Sequence, residues 1–178
     1  MHNLREISGK MPGAAEGEEL VVDRRVPPHD LDAEGAILSA VMLNVDDLPT
    51  VAKILAPEHF YSEAHRRIYE ACVELTSKGR PVDVVLVASW LRDHDRLAQV
   101  GGMAYLTEIL SSAPISWNVA AYAKVVYEKW RVRQLILACQ RIVAEGYAAY
   151  GEAQAFLDKA ERAVGDIARG RTEPEPSL

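Results

Sequence analysis

From residue 118 onward the chain carries two apolar stripes at heptad spacing, and no other feature of the sequence restricts its fold as tightly. In the first, Val125, Val132, Ile136, Cys139 and Val143 follow one another at intervals of 7, 4, 3 and 4. In the second, beyond a break around Tyr150 and Gly151, Ala153, Leu157, Ala160, Val164 and Ile167 follow at 4, 3, 4 and 3. Such intervals return a side chain to one side of an α-helix, so each stripe predicts a helix with a narrow apolar seam. Two seamed helices joined by a short loop predict an antiparallel hairpin over residues 118–170, packed seam to seam. A hairpin this thin leaves further apolar residues outside the seams, namely Trp130, Leu135, Ile142 and Phe156. Their exposure predicts that the hairpin seeks a partner.

The punctuation before residue 118 is also helical. Asp30 is placed to cap a helix over 31–43, with Ile37, Leu38, Val41 and Met42 on one face. Asp46 or Asp47 caps a short helix over 48–55, and Ser62 a longer one striped by Ile68, Cys72 and Leu75 that ends at Gly79 and Pro81. The run 82–91 is rich in β-branched residues, yet Asp83 followed by Val84, Val87 and Leu91 fits a capped helix better than a strand. Gly101 and Gly102 open a helix carrying Tyr105, Leu106, Ile109 and Leu110, which stops near Pro114. The predicted class is therefore all-α: a six-helix-type globular domain over 26–117, then the hairpin. Residues 1–25 have little apolar periodicity and are expected to form a flexible arm. Residues 171–178 alternate Pro with charge and are expected to begin a linker.

Charge and motifs narrow the function. A formal net charge of −6 and a pI near 5.4 argue against a surface that clamps DNA phosphates as a whole, which needs a surplus of Lys and Arg. No apolar run approaches the ~20 residues of a membrane span, and the first residues hold no apolar stretch of the kind a signal peptide needs, so none is expected. Cys72 and Cys139 fall in apolar helical patterns and are both expected to be buried and reduced, which fits the cytoplasm. A P-loop of the form GxxxxGK[ST] is missing, so no catalytic residues and no nucleotide cofactor are assigned to this chain. His29-Asp30 and His94-Asp95 invite a metal phosphohydrolase reading. Helix capping and a polar turn account for them better, so no metal is assigned, and Asp30, Asp32 and Glu34 suit the positive end of a helix dipole. The segment Lys129-Trp130-Arg131-Val132-Arg133, with Arg141 beyond it, is either a solvated helix face or a basic and aromatic patch for an acidic partner or single-stranded nucleic acid.

Five strings give the domain a family likeness. They are Val26-Pro27-Pro28-His29-Asp30-Leu31-Asp32-Ala33-Glu34, then Pro57-Glu58-His59-Phe60-Tyr61 with His65 four residues on, then Gly79-Arg80-Pro81-Val82-Asp83. Val100-Gly101-Gly102-Met103-Ala104-Tyr105-Leu106 and the residues Asn118 to Tyr122 complete the set. In this order and spacing the chain resembles, over about residues 26 to 170, the amino-terminal domain of DnaB-type replicative DNA helicases. The resemblance implies a collar that dimerises through the helical hairpins, three dimers making a hexamer, and that docks a DnaG-type primase. It admits a helicase loader as a further partner. It also implies that ATP and magnesium belong to a separate motor domain after the linker, which makes the DNA contacts for the most part. Carried over by residue, the primase surface falls on Tyr105, Arg133, Ile136 and Ile142, and the hairpin assembly on the two seams. Read without the resemblance, the same residues suit an unrelated helical adaptor or regulatory module that dimerises through its hairpin.

Overall fold

The computed structural model of the protein describes residues 26–111, 118–148 and 150–170, and every regular element among them is helical. The order is α1 (Leu31–Leu43), a 3-10 turn (Val45–Asp47), α2 (Leu48–Ala52), a second 3-10 turn (Pro57–His59), α3 (Glu63–Ser77), α4 (Val84–Asp93), α5 (Gly102–Ser111), α6 (Val119–Tyr147) and α7 (Ala153–Ala168). The expected arm and linker, at 1–25 and 171–178, lie outside the described residues, as does the stop expected near Pro114.

Capping fixes most helix starts as the residue types predict. The Asp30 carboxylate accepts from Ala33 N at 2.9 Å, that of Asp83 from Val85 N and Leu86 N at 2.8 Å, and the Asn118 side chain from Ala121 N at 3.1 Å. Ser62 accepts from His65 N. The Asp83 cap resolves the β-branched run as α4, because two satisfied amides offset the modest helix penalty of Val. One expected cap is positional only: Asp47 occupies the N-cap of α2, but its side chain makes no capping bond. Asn44 instead accepts from Asp46 N and opens the 3-10 turn that leads into α2.

α1 is the axis of the head. It lies against α3, α5 and α6, and every residue from Ala33 to Met42 is buried. The sequence suggests a one-sided stripe, but a helix enclosed by three others needs no polar face. Full burial of Ile37, Leu38 and Val41 contributes about 1.5–3 kcal/mol for each side chain. α3 packs on α4, and α4 on α5.

The boundary expected at residue 118 cuts through this core. Val119, Ala123 and Val126 belong to it, and Trp130 is also buried. The first half of α6 thus completes the head, packing on α1 and α2, while the second half runs on to meet α7. Its 29 residues span roughly 43 Å, more than the head can cover.

Within the hairpin the seams do not meet. Arg131 donates to Ile167 O and Ala168 O at 2.9 and 2.7 Å, and Lys159 pairs with Glu145 at 2.7 Å. The face of α6 turned toward α7 is therefore the one carrying Arg131, Ala138 and Glu145. Val132 and Cys139 follow Arg131 and Ala138 by one residue, about 100° around the helix. They are exposed, as are Ile136, Val143, Leu157 and Val164, whereas Val125, Ala160 and Ile167 are half-buried. The positions expected to be uncovered are the better covered ones: Trp130 is buried and Ile142 and Phe156 are half-buried, although Leu135 stays exposed. Cys72 is buried as expected, and burial pushes its thiol up to about 12. Cys139 is not buried, because it lies on the open seam.

Candidate functional site

Three stretches of chain converge where the head meets the hairpin. Pro28 brings the chain into α1, the turn Pro57–His59 leads to Tyr61, and α6 supplies Trp130 and Arg133. The His59 ring takes the Ala56 amide through Nδ1 at 3.0 Å, which closes the turn and leaves the His59 carbonyl for another donor. Arg133 supplies it: one Nη donates to His59 O at 2.7 Å and the other to Pro28 O at 2.8 Å. The fork of a guanidinium suits two carbonyls from separate segments in a way an ammonium does not. Its carbon also lies 5.5 Å from the centre of the Tyr61 ring, which stacks on His29 at 4.3 Å. Trp130 packs on His59 at 4.1 Å and on Tyr127 at 5.5 Å.

Burial here depresses charge. It lowers the Arg133 guanidinium from its usual range, against the pull of Glu34 and Tyr61. Burial likewise holds the His59 imidazole below its ordinary value, a shift that Arg133 reinforces and Glu58 opposes.

A second polar cluster lies beneath this junction. Glu34 is 1% exposed, and its carboxylate accepts from Tyr61 N at 2.6 Å, Ser62 N at 3.2 Å and His65 Nδ1 at 2.8 Å. The other ring nitrogen of His65 lies 2.8 Å from the Tyr105 hydroxyl. Burying a carboxylate is costly unless donors surround it, and three donors do so here. Burial raises the Tyr105 phenol, with Glu108 and Glu34 adding to the effect. Gly101 makes room for this ring: its φ is +93°, and a Cβ there would stand 2.9 Å from the Tyr105 Cβ. Read from sequence, Glu34 is a helix-dipole carboxylate and His65 no more than a member of a family string. The missed signal is that Glu34 sits inside the apolar run Ala33 to Val41, where a solvated carboxylate has no place.

The residues predicted for docking divide into two kinds. Arg133 and Tyr105 are half-buried and spend their polar atoms inside the molecule. Arg133 is thus not on the open side of α6, because the two carbonyls draw its side chain into the junction. Ile136 is exposed on the seam and Ile142 is half-buried. The seam itself is an open apolar face on both helices, with Val143 at 51% and Leu157 at 58% exposure.

The basic and aromatic patch does not form a stacking platform. Trp130 is buried, Arg131 closes the end of α7 and Arg133 holds the junction. Among the described residues no three His, Cys, Asp or Glu side chains converge as a metal site would require. His29 Nδ1 faces Pro27 O, and His94 Nδ1 faces Trp90 O. Among the same residues no helix is long and apolar enough to cross a membrane.

Comparison with known proteins gives a consistent result. A sequence profile described as the DnaB-like helicase N terminal domain matches residues 26–128. The replicative DNA helicase DnaC of Bacillus subtilis is 38% identical over 149 residues, covering 84% of this chain and 33% of that protein. The chain thus spans about a third of the length of this relative. The N-terminal domain of DnaB helicase from Mycobacterium tuberculosis superposes with a TM-score of 0.74 at 35% identity, over 79% of this chain and 99% of that one. A DnaB-like replicative helicase, whose structure is described together with its interactions with primase, gives a TM-score of 0.63 at 26% identity over 84% of this chain and 33% of that one.

Proposed function

Because the chain belongs to the DnaB-like helicase N terminal domain family, we propose that it is the collar of a replicative DNA helicase, which assembles through its hairpin and docks a DnaG-type primase. The observation that carries this reading is the open seam. Val132, Ile136, Cys139, Val143, Leu157 and Val164 present apolar surface on both helices of one thin hairpin, and a second copy removes that surface from water. An isologous pairing of hairpins is the economical way to do so. Three such pairs make the collar of a hexamer. For primase, the related helicase described with that partner supports the assignment, and Ile136 and Ile142 offer aliphatic contacts on α6.

In this reading the chain has no turnover of its own. ATP and magnesium act in a motor domain of the parent protein, which makes most of the DNA contacts, and the assembly works in the cytoplasm. Titration calorimetry with the carboxy-terminal domain of the cognate primase tests the docking. Ile142→Ala is expected to weaken binding roughly tenfold, while Lys53→Ala, an exposed position after α2, leaves it unchanged. Equal affinities for the two variants remove this face of the hairpin from the primase interface.

A further inference from the structure

The contacts from Tyr105 to Arg133 form a single chain, hydrogen-bonded as far as the Tyr61 amide and carried on by the Tyr61 ring. Tyr105 on α5 reaches His65 on α3 at 2.8 Å, and His65 reaches Glu34 on α1 at 2.8 Å. Glu34 takes the amides of Tyr61 and Ser62 at 2.6 and 3.2 Å. The Tyr61 ring then lies under Arg133, whose guanidinium ties α6 to the carbonyls of His59 and Pro28. The directions agree along the chain. With Glu34 accepting, the tautomer that donates through His65 Nδ1 leaves Nε2 facing the Tyr105 hydroxyl.

The middle of this chain is buried, with Glu34 at 1% and His65 at 3% exposure. Buried polar networks are stiff because each unmade bond there is costly. The ends are different, since Tyr105 and Arg133 are half-buried and reach the surface. We propose that Tyr105 and Arg133 are positioning residues at the two ends of one relay, hydrogen-bonded from Tyr105 to the Tyr61 amide and completed by the contact of the Tyr61 ring with Arg133, through which the Tyr105 hydroxyl's hydrogen bond sets the angle of the hairpin on the head.

The relay makes Arg133 act on a docked partner through the placement of α6 rather than as a direct contact. It also makes the two residues coupled, although they sit on different helices. That consequence for docking rests on the primase reading above, whereas the geometry of the relay does not.

Two measurements separate them. Spin labels at Val85→Cys on α4 and Glu161→Cys on α7, in a Cys139→Ser background with Cys72 fully buried, report the distance from head to hairpin. Tyr105→Phe removes one oxygen and keeps the ring, and Arg133→Lys keeps the charge but loses the fork, so both are mild enough to fold. Each is expected to broaden the distance distribution, and the double variant to broaden it no further than Arg133→Lys alone. An unchanged distribution in Tyr105→Phe, or a double variant that sums the two effects, overturns the relay.

Calorimetry with the primase domain is the second measurement. One ordinary hydrogen bond corresponds to about fivefold in affinity. Each variant is expected to weaken binding by about that factor, and the double variant by much less than the product. A product of the two factors counts against the coupling. A wild-type chain that binds no primase overturns the docking reading and leaves the distance measurement to decide the relay by itself.

Discussion

The head and the distal hairpin are built from the same kind of helix and differ in where their apolar surface goes. In α1 ten successive residues are buried, while α7 over its 16 residues has none. α7 is nonetheless amphipathic, with Leu157 and Val164 exposed and Phe156 and Ile167 half-covered. The head has closed its core within one chain. The hairpin is held to itself by Arg131, the Lys159–Glu145 pair and a few small contacts. An exposed ion pair contributes little, so within the single chain α7 is tied down mainly by the Arg131 hydrogen bonds to Ile167 and Ala168. In the proposed function, stability resides in the head and assembly falls to the hairpin.

The strongest test of that division is a truncation in α1. Leu38→Ala is expected to cost roughly 2–5 kcal/mol of unfolding free energy, because Leu38 is enclosed and the cavity cannot collapse. Chemical denaturation measures it, and a cost below about 1 kcal/mol would mean that the head core is not the source of stability.

Next comes the polar centre of the head. Glu34→Ala strands the amides of Tyr61 and Ser62 and the ring of His65, and is expected to cost about 3 kcal/mol. The loss should appear as faster hydrogen exchange at those two amides. Protection equal to wild type shows that another acceptor has replaced the carboxylate and that the centre is not needed.

The hairpin should respond in the opposite sense. Leu157 is exposed in the single chain, so Leu157→Asp is expected to change the unfolding free energy of the monomer by no more than about 0.5 kcal/mol. The same change puts an unpaired charge into any packed hairpin pair. Light scattering should therefore show a smaller species at an unchanged helical signal. An unchanged mass removes the seam from assembly.

The smallest effect is at the junction. His59 titrates below the ordinary imidazole value in the folded chain because burial disfavours its charge. The unfolded chain consequently takes up a proton first as the pH falls. The stabilisation tied to the neutral ring is whole above about pH 6.5 and is lost progressively below it. Thermal unfolding between about pH 7 and pH 5 should show a decline that His59→Gln reduces. Identical profiles for the two chains exclude His59 as a contributor.

Much of this was legible from residue types. Asp30, Ser62, Asp83 and Asn118 are short polar side chains before apolar runs, and each caps the helix it precedes. The heptad intervals announce α6 and α7 because periodicity follows from the backbone of a helix alone. The relay was hidden, since Glu34, His65 and Tyr105 lie 31 and 40 residues apart along the chain and only packing makes them neighbours. The role of Arg133 was hidden for a related reason. Two backbone carbonyls hold it, and any residue type can supply a carbonyl, so no side-chain pattern marks them.

The sequence by itself determined which segments are helical, where they begin, and that residues 118–170 carry more apolar surface than one thin hairpin can cover. Those properties are set within a turn or two of chain by caps and spacing. Only the tertiary structure decided which stripe of α6 faces α7. A shift of one residue rotates a helix by about 100°, and the choice went to Arg131, Ala138 and Glu145 because α7 supplies carbonyls and a lysine to bond Arg131 and Glu145. That choice leaves Val132, Ile136, Cys139 and Val143 facing outward, where a second chain can reach them.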